Sequence, residues 1–167
     1  MDVDPDFQGL PVEDYQGKVV LIEDLSPTIK HIRLELDRPM AFQAGQYINL
    51  HVPSIDSTRA FSIANPPSMS GIIDLHVRKV EGGAGTTWLH DELQVGQSLD
   101  VSGPYGQFFV RKSDPQGAIF IAGGSGLSSP ESMIMDLLEE GDTRPIYLFQ
   151  GARNKAELYH ADHFYQL

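Results

Sequence analysis

Four stretches of this chain alternate apolar and polar side chains one for one, and few folds accept that rhythm. Ile32, Leu34 and Leu36 alternate with Arg33 and Glu35, and Ile48, Leu50 and Val52 with Asn49 and His51. Ile73, Leu75 and Val77 alternate with Asp74, His76 and Arg78, and Leu99 and Val101 with Asp100 and Ser102. A period of two is that of a strand with one buried face. A further short apolar run, Lys18–Glu23, precedes them. Gly, Pro and Asn break the runs, so residues 16 to 111 predict an antiparallel barrel or sandwich. One helix is expected inside it, near Thr86–Leu93, with Trp88, Leu89 and Leu93 on its apolar side.

At Gly117 the rhythm changes. Ala118–Ala122 (AIFIA) is an unbroken apolar run, followed by GGSGLSSP and a helical stripe of Met133, Ile134, Leu137 and Leu138. Ser128 with Glu131 predicts a capping box, Pro130 suits the first turn, and Gly141 is the stop. Ile146–Phe149 reads as a second buried strand, and Asn154 with Glu157 as another helix start. This β-α-β-α order opens a doubly wound parallel sheet. Two strands leave an edge and an apolar face open. The expectation is therefore a second domain that is cut short or completed from outside this sequence.

Composition narrows the function. Twelve Lys plus Arg against 23 Asp plus Glu give a net charge of -11. Such a surface repels nucleic acid and anionic lipid, so neither is an expected partner. Without cysteine the sequence offers no disulfide, thiolate nucleophile or Cys-ligated iron–sulfur cluster. No apolar run nears the roughly 20 residues that span a bilayer. The start, MDVDPDFQG, lacks the apolar core of a signal peptide, which makes a cytoplasmic location the default. Residues 1–14 read as a solvated linker or tail. Asp2, Asp4 and Asp6 resemble a calcium loop, but Phe7 stands where that loop needs Gly.

The chemistry-bearing motifs are short. RAFS (59–62) sets the charge of Arg59 beside Phe61 between strands, which suits an anion and a flat group. GGAGTTW (82–88) is a glycine turn entering a helix that Thr86 or Thr87 can cap; it is either an anion site or a plain loop. In GPYGQF (103–108), Pro104 and Gly106 suit a tight turn. AGGSGLSSP (122–130) leads a strand through glycines into a helix N-terminus, as a dinucleotide phosphate turn or an ordinary strand-to-helix turn does. Ser129 replaces the third glycine of G-x-G-x-x-G, and Leu127 the last glycine of a nucleophile elbow. His160 and His163 read as a surface pair, and no metal site is expected. No Ser/His/Asp order or carboxylate pair stands out, which suits a protein whose cofactor does the chemistry.

The order of these motifs resembles the ferredoxin–NAD(P) reductase family from about residue 16 onward. Within it, DLSPTIKHIRLELDRPMAFQAGQYINL, RAFSIANPP, GPYGQFFVR, IFIAGGSGLSSPESMI and LFQGARNKAELY are similar to the reductase components of phenol hydroxylase and related aromatic monooxygenases. The resemblance implies a six-stranded antiparallel flavin barrel over residues 15–112. The start of a doubly wound nicotinamide-binding α/β domain then occupies 113–167. Arg59 would hold the FAD pyrophosphate, within the strand Arg59, Ala60, Phe61 and Ser62. Phe61 would lie against the flavin, without the hydroxyl of the tyrosine many relatives carry. Ser62 would hydrogen-bond flavin N5 and is the one catalytic assignment. Val77 and Arg78 would line the isoalloxazine edge, and Gly83, Gly85 and Thr86 would hold the pyrophosphate at a helix N-terminus. Gly123, Gly124, Ser125 and Gly126 would form the nicotinamide-cofactor turn, with Gly151 and Arg153 near its adenosine end.

In such proteins NADH passes hydride to flavin N5, and electrons then leave singly through a [2Fe–2S] cluster to a diiron hydroxylase. The cluster domain, the last strands and the Cys-Gly-Pro motif are not in this sequence, so NADH binding is expected to be weak. Two other readings stand beside this one: a non-catalytic flavin-binding or regulatory module, and a plain β-barrel interaction domain.

Overall fold

The computed structural model describes residues 4–166. Asp2 and the start of the expected tail, and Leu167 at the other end, lie outside the described residues. Six strands form one antiparallel sheet: β1 (Glu13–Ser26), β2 (Ile29–Leu36), β3 (Tyr47–Val52), β4 (Ser57–Ser62), β5 (Ile72–Arg78) and β6 (Ser98–Tyr105). Their spatial order is β4-β3-β6-β1-β2-β5, so the edge strands are β4 and β5. The sheet curls until these edges meet, with the Ala64 N–H donating to the Asp74 carbonyl at 2.9 Å. The result is an open barrel.

The alternation supplies its core. Ile32, Leu34, Ile48, Leu50, Ile73, Leu75 and Val77 are fully buried in one apolar cluster. Each such side chain contributes about 1.5–3 kcal/mol by leaving water. Helix α1 (Ala84–Asp91) closes one end through Leu89, with Trp88 packed against the same cluster. β1 is longer than the run Lys18–Glu23, because Tyr15, Gly17 and Val19 already alternate inward from Glu13. It pairs with β6 on one side and β2 on the other.

The second unit is small. β7 (Ala118–Gly123) and β8 (Ile146–Gly151) pair in parallel, Gly123 opposite Gly151. Helix α2 (Ser128–Glu139) connects them, and a short helix α3 (Ala161–Tyr165) follows. α2 ends at Gly141, whose φ of 73° lets the Asp142 N–H reach back to the Leu137 carbonyl. Two seams fasten this unit to the barrel. Ala44 packs with Phe120, Met133 and Ile134, and Ile29 packs with Ala122, Leu127 and Tyr159.

Several local expectations need correction. The β7 and β8 side chains Ile119, Ile121, Tyr147 and Phe149 are exposed, so β8 is half-buried on one face and open on the other. The capping box does not form, because a 3-10 turn (Gly124–Leu127) runs straight into α2. Ser128 instead donates to the Ser125 carbonyl at 2.9 Å, and Glu131 turns to His160. Thr86 does not cap α1: its Oγ1 accepts from the Val80 N–H and donates to the Gly83 carbonyl. Asn154 does cap, but only a single 3-10 turn, Lys155–Glu157. Pro104 lies in the end of β6, and the bend comes at Gly106, with φ 100°.

The described part of the tail is docked at three points, although Pro5, Gln8, Gly9, Pro11 and Val12 are exposed. Asp4 takes Arg111 at 2.7 Å, the Ser113 hydroxyl donates to Asp6, and Phe7 stacks on Phe109. Acidic composition hid this docking, because its partners sit more than a hundred residues away.

Candidate functional site

Register decides where the residues of β4 point. Arg59 pairs with Leu50 and Phe61 with Ile48, so both lie on the barrel's inner-facing side at its open edge. Ala60 and Ser62 pair with Asn49 and Tyr47 and share the opposite face. A flat ring can therefore meet both Phe61 and Ser62 only by lying across the end of β4. Phe61 is half-buried and packs on the core, which fixes its ring. Arg59 is exposed and bonds only to the Ser57 hydroxyl and the Thr58 carbonyl. Among the described residues, no carboxylate neutralises it.

The glycine turn before α1 lies alongside. A Cβ on Gly85 would stand 3.9 Å from the Arg59 stem and 3.1 Å from Ile55, so a larger residue would crowd this approach. No side chain caps α1, whose N-cap is Gly83. Free N–H groups, a helix dipole and an unpaired guanidinium converge here, as a phosphate-bearing ligand requires.

A second cleft, of about 430 Å³, lies between barrel and α/β unit. Arg78, Gly123, Gly124, Gly151 and Arg153 line it with Glu157. It opens at the carboxyl ends of β7 and β8, where parallel sheets bind ligands. Arg78 thus joins the residues expected around the nicotinamide cofactor. Its guanidinium would come within 3.5 Å of a Cβ on Gly124, whose φ is 54°. Gly126 faces open space, and Ser125 is the second residue of the 3-10 turn, its carbonyl bonded to Ser128. The Val77 side chain is fully buried in the barrel core, so this residue can meet a ligand only through its backbone.

Sequence reasoning missed a buried polar seam on the outer faces of β2 and β5. Asp74 takes both a bidentate pair from Arg33, at 2.7 and 2.9 Å, and His31 Nε2, at 2.8 Å. Burial alone would raise the Asp74 pKa, but the bonds from Arg33 and His31 outweigh it and hold the carboxyl below its ordinary range. Burial would likewise lower His31, and its bonds to Asp74 and Glu23 raise it instead. His76 has no such support. Burial first, then the charges of His160 and His31, push it down to about 3. The seam continues through Tyr159 and His160 to Glu131 of α2. His160 therefore belongs to this seam, half-buried, while its ring also meets the exposed His163 edge-on at 5.9 Å, so the expected pair is only half at the surface. Its signal in sequence was the polar side of β5, Asp74-x-His76, which reads as a solvated face until a second unit covers it.

An open antiparallel barrel with an uncapped helix beside a free arginine, joined to a parallel β-α-β turn, defines a flavin- and nicotinamide-type oxidoreductase fold. The chain belongs to the oxidoreductase FAD-binding domain family, whose profile matches residues 16–110. It is 70% identical over all 167 residues to the phenol hydroxylase P5 protein of Acinetobacter pittii. It is 65% identical to the phenol 2-monooxygenase reductase component DmpP of a Pseudomonas species. The chain spans 47% of the length of each of these relatives. Among solved structures, the Amycolatopsis reductase GcoB superposes with a TM-score of 0.88 at 32% identity, over 93% of this chain and 48% of that one. Phthalate dioxygenase reductase shares the fold, with a TM-score of 0.82 at 24% identity over 90% of this chain and 47% of that one.

Proposed function

We propose that this chain is the flavin-binding part, with the first part of the nicotinamide-binding unit, of an NADH-dependent reductase. In a longer protein that carries a [2Fe–2S] cluster, its electrons would go to the hydroxylase component of a phenol or related aromatic monooxygenase in the cytoplasm. The observation that carries this reading is the 70% and 65% identity to phenol hydroxylase reductases across the whole chain, motifs included.

The residues fit FAD. Arg59 and the free N–H groups ahead of α1, with Gly83, Gly85 and Thr86 shaping the turn, receive the pyrophosphate. Phe61 supports one face of the isoalloxazine ring, Ala60 keeps the opposite face of β4 free of bulk, and Ser62 offers a hydrogen bond to the ring nitrogen that receives hydride. Bound flavin supplies the conversion of a two-electron donor into single electrons. Gly123, Gly124, Ser125, Gly126, Gly151, Arg78 and Arg153 border the cleft assigned to NADH.

Arg59→Ala removes a charge-assisted phosphate contact of about 1.5–3 kcal/mol. FAD affinity is expected to fall about 10- to 100-fold with the melting transition unchanged, read by flavin fluorescence titration. The proposed activity itself is tested by adding excess NADH anaerobically to the FAD-loaded chain. Bleaching of the flavin supports a reductase. A yellow colour that persists as NADH is raised to levels that saturate even weak binding contradicts it and favours a non-catalytic flavin-binding module.

A further inference from the structure

We propose that His76, Glu131 and His160 form a site for one divalent transition-metal ion of the zinc type, fastening the barrel to the α/β unit. Each residue offers one ligand atom, and the three atoms lie within 4.8 Å of one another. They come from three separate segments: β5, α2 and the loop entering α3.

Spacing is the first argument. His160 Nδ1 lies 3.0 Å from both Glu131 oxygens, and His76 Nε2 lies 3.9 Å from Oε2. Ligand atoms about 2.0–2.1 Å from a tetrahedral ion stand about 3.3 Å apart. The two separations to Glu131 bracket that value and the third is within 4.8 Å, so the three groups need only close in slightly to seat an ion.

Proton counting is the second. The Tyr159 hydroxyl lies 3.1 Å from the Gly124 carbonyl and 3.1 Å from His76 Nδ1. It has one proton, and the carbonyl can only accept. Tyr159 therefore donates to Gly124, and the His76 Nδ1–H donates to Tyr159. This leaves the Nε2 lone pair turned toward the Glu131 carboxylate. The lone pair and Glu131 Oε2 stand 3.9 Å apart where the His76 side chain is 2% exposed, with His160 Nδ1 at 3.0 Å the one present partner of that oxygen. A cation among the three would engage the Nε2 lone pair and take over the contact between His160 and Glu131. Tyr159 then does what outer partners of metal-bound imidazoles do, fixing tautomer and ring orientation.

Two imidazoles and one carboxylate suit zinc-type ions better than magnesium or calcium, which prefer oxygen. Three protein ligands leave a fourth position for water. Because Tyr159 also holds the Gly124 carbonyl, the ion would stiffen the turn bordering the second cleft.

The test uses the whole chain, freed of metal and flavin, dialysed against Zn²⁺ and separately against Co²⁺. One equivalent of Zn²⁺ per chain, and the visible bands of four-coordinate Co²⁺, are expected. His160→Ala and the isosteric Glu131→Gln, each checked for an unchanged circular dichroism spectrum, should abolish stoichiometric uptake. Tyr159→Phe should weaken it about 10- to 100-fold. His51→Ala, outside the cluster, should leave it unchanged. A folded wild-type chain that takes up no stoichiometric metal overturns the proposal, as does uptake that survives both ligand substitutions.

Discussion

Asp74→Ala is expected to destabilise the chain by about 3 kcal/mol, the lower end of the cost of breaking a buried ion pair. The lower end applies because Arg33 is 35% exposed and water can partly take over its charge, whereas His31 is 10% exposed and loses a partner it cannot replace. Asp74 also ties the barrel's closing edge to the second unit, since its backbone N–H donates to Asn65 Oδ1, and Asn65's carbonyl accepts from Ser132 of α2. Denaturant unfolding checks the loss: the midpoint should fall with the slope unchanged.

The same network sets a pH window. Asp74 is held below its ordinary 3.8, so its contribution is complete above that value and fades as pH falls through the lower folded one. His31 is raised above 6.5, so its contribution is complete below 6.5 and is lost as pH rises through the raised value. The network therefore contributes most between about pH 4 and pH 6.5. Asp74→Ala should flatten both limbs of this profile.

Gly45→Ala should cost roughly 2–5 kcal/mol, although it adds a single carbon. The φ of Gly45 is 98°, a region costly by about 1–2 kcal/mol for a residue with a side chain. The new Cβ would stand 2.2 Å from the Phe108 carbonyl oxygen and 2.3 Å from the Met133 terminal carbon. Met133 can swing its flexible end away, but the carbonyl moves only with its backbone, and such overpacking adds about 1–3 kcal/mol. Gly45 lies where α2 rests on the barrel, so relief of the clash would shift α2 and the Gly124 turn that feeds it. Thermal unfolding should show a large drop in midpoint. Gly82→Ala is a useful contrast: φ is also positive, at 71°, but nothing lies within 4 Å, so only the backbone cost remains.

The sequence was most informative where one physical constraint acted alone. Ile32-x-Leu34 and Ile73-x-Leu75 needed only a buried face, and their alternation gave strand, face and fold class together. α2 and its Gly141 stop were legible for the same reason. Failures came where a partner distant in sequence changed a residue's task. Ser128 and Glu131 spell a capping box locally, yet the 3-10 turn from Gly124 absorbs the helix start and frees Glu131 for His160. Asp4 and Asp6 spell a solvated tail until Arg111 and Ser113 are placed beside them. The polar residues of β2 and β5 alternate as a solvent face does, and only the second unit reveals that they are buried. At the candidate flavin site, Arg59 and Phe61 drew attention because a charge beside an aromatic in a strand has few structural uses. For Val77, likeness of sequence did not say which face of the strand the side chain takes, and it lies in the core.

The central claim is that the edge of β4 and the start of α1 together hold FAD. It is tested most directly by titrating the folded chain with FAD, following the flavin's fluorescence, and then adding ADP, which carries the same pyrophosphate. The account predicts saturation at one equivalent of FAD and displacement by ADP. A chain that is folded by circular dichroism and takes up no FAD would contradict it.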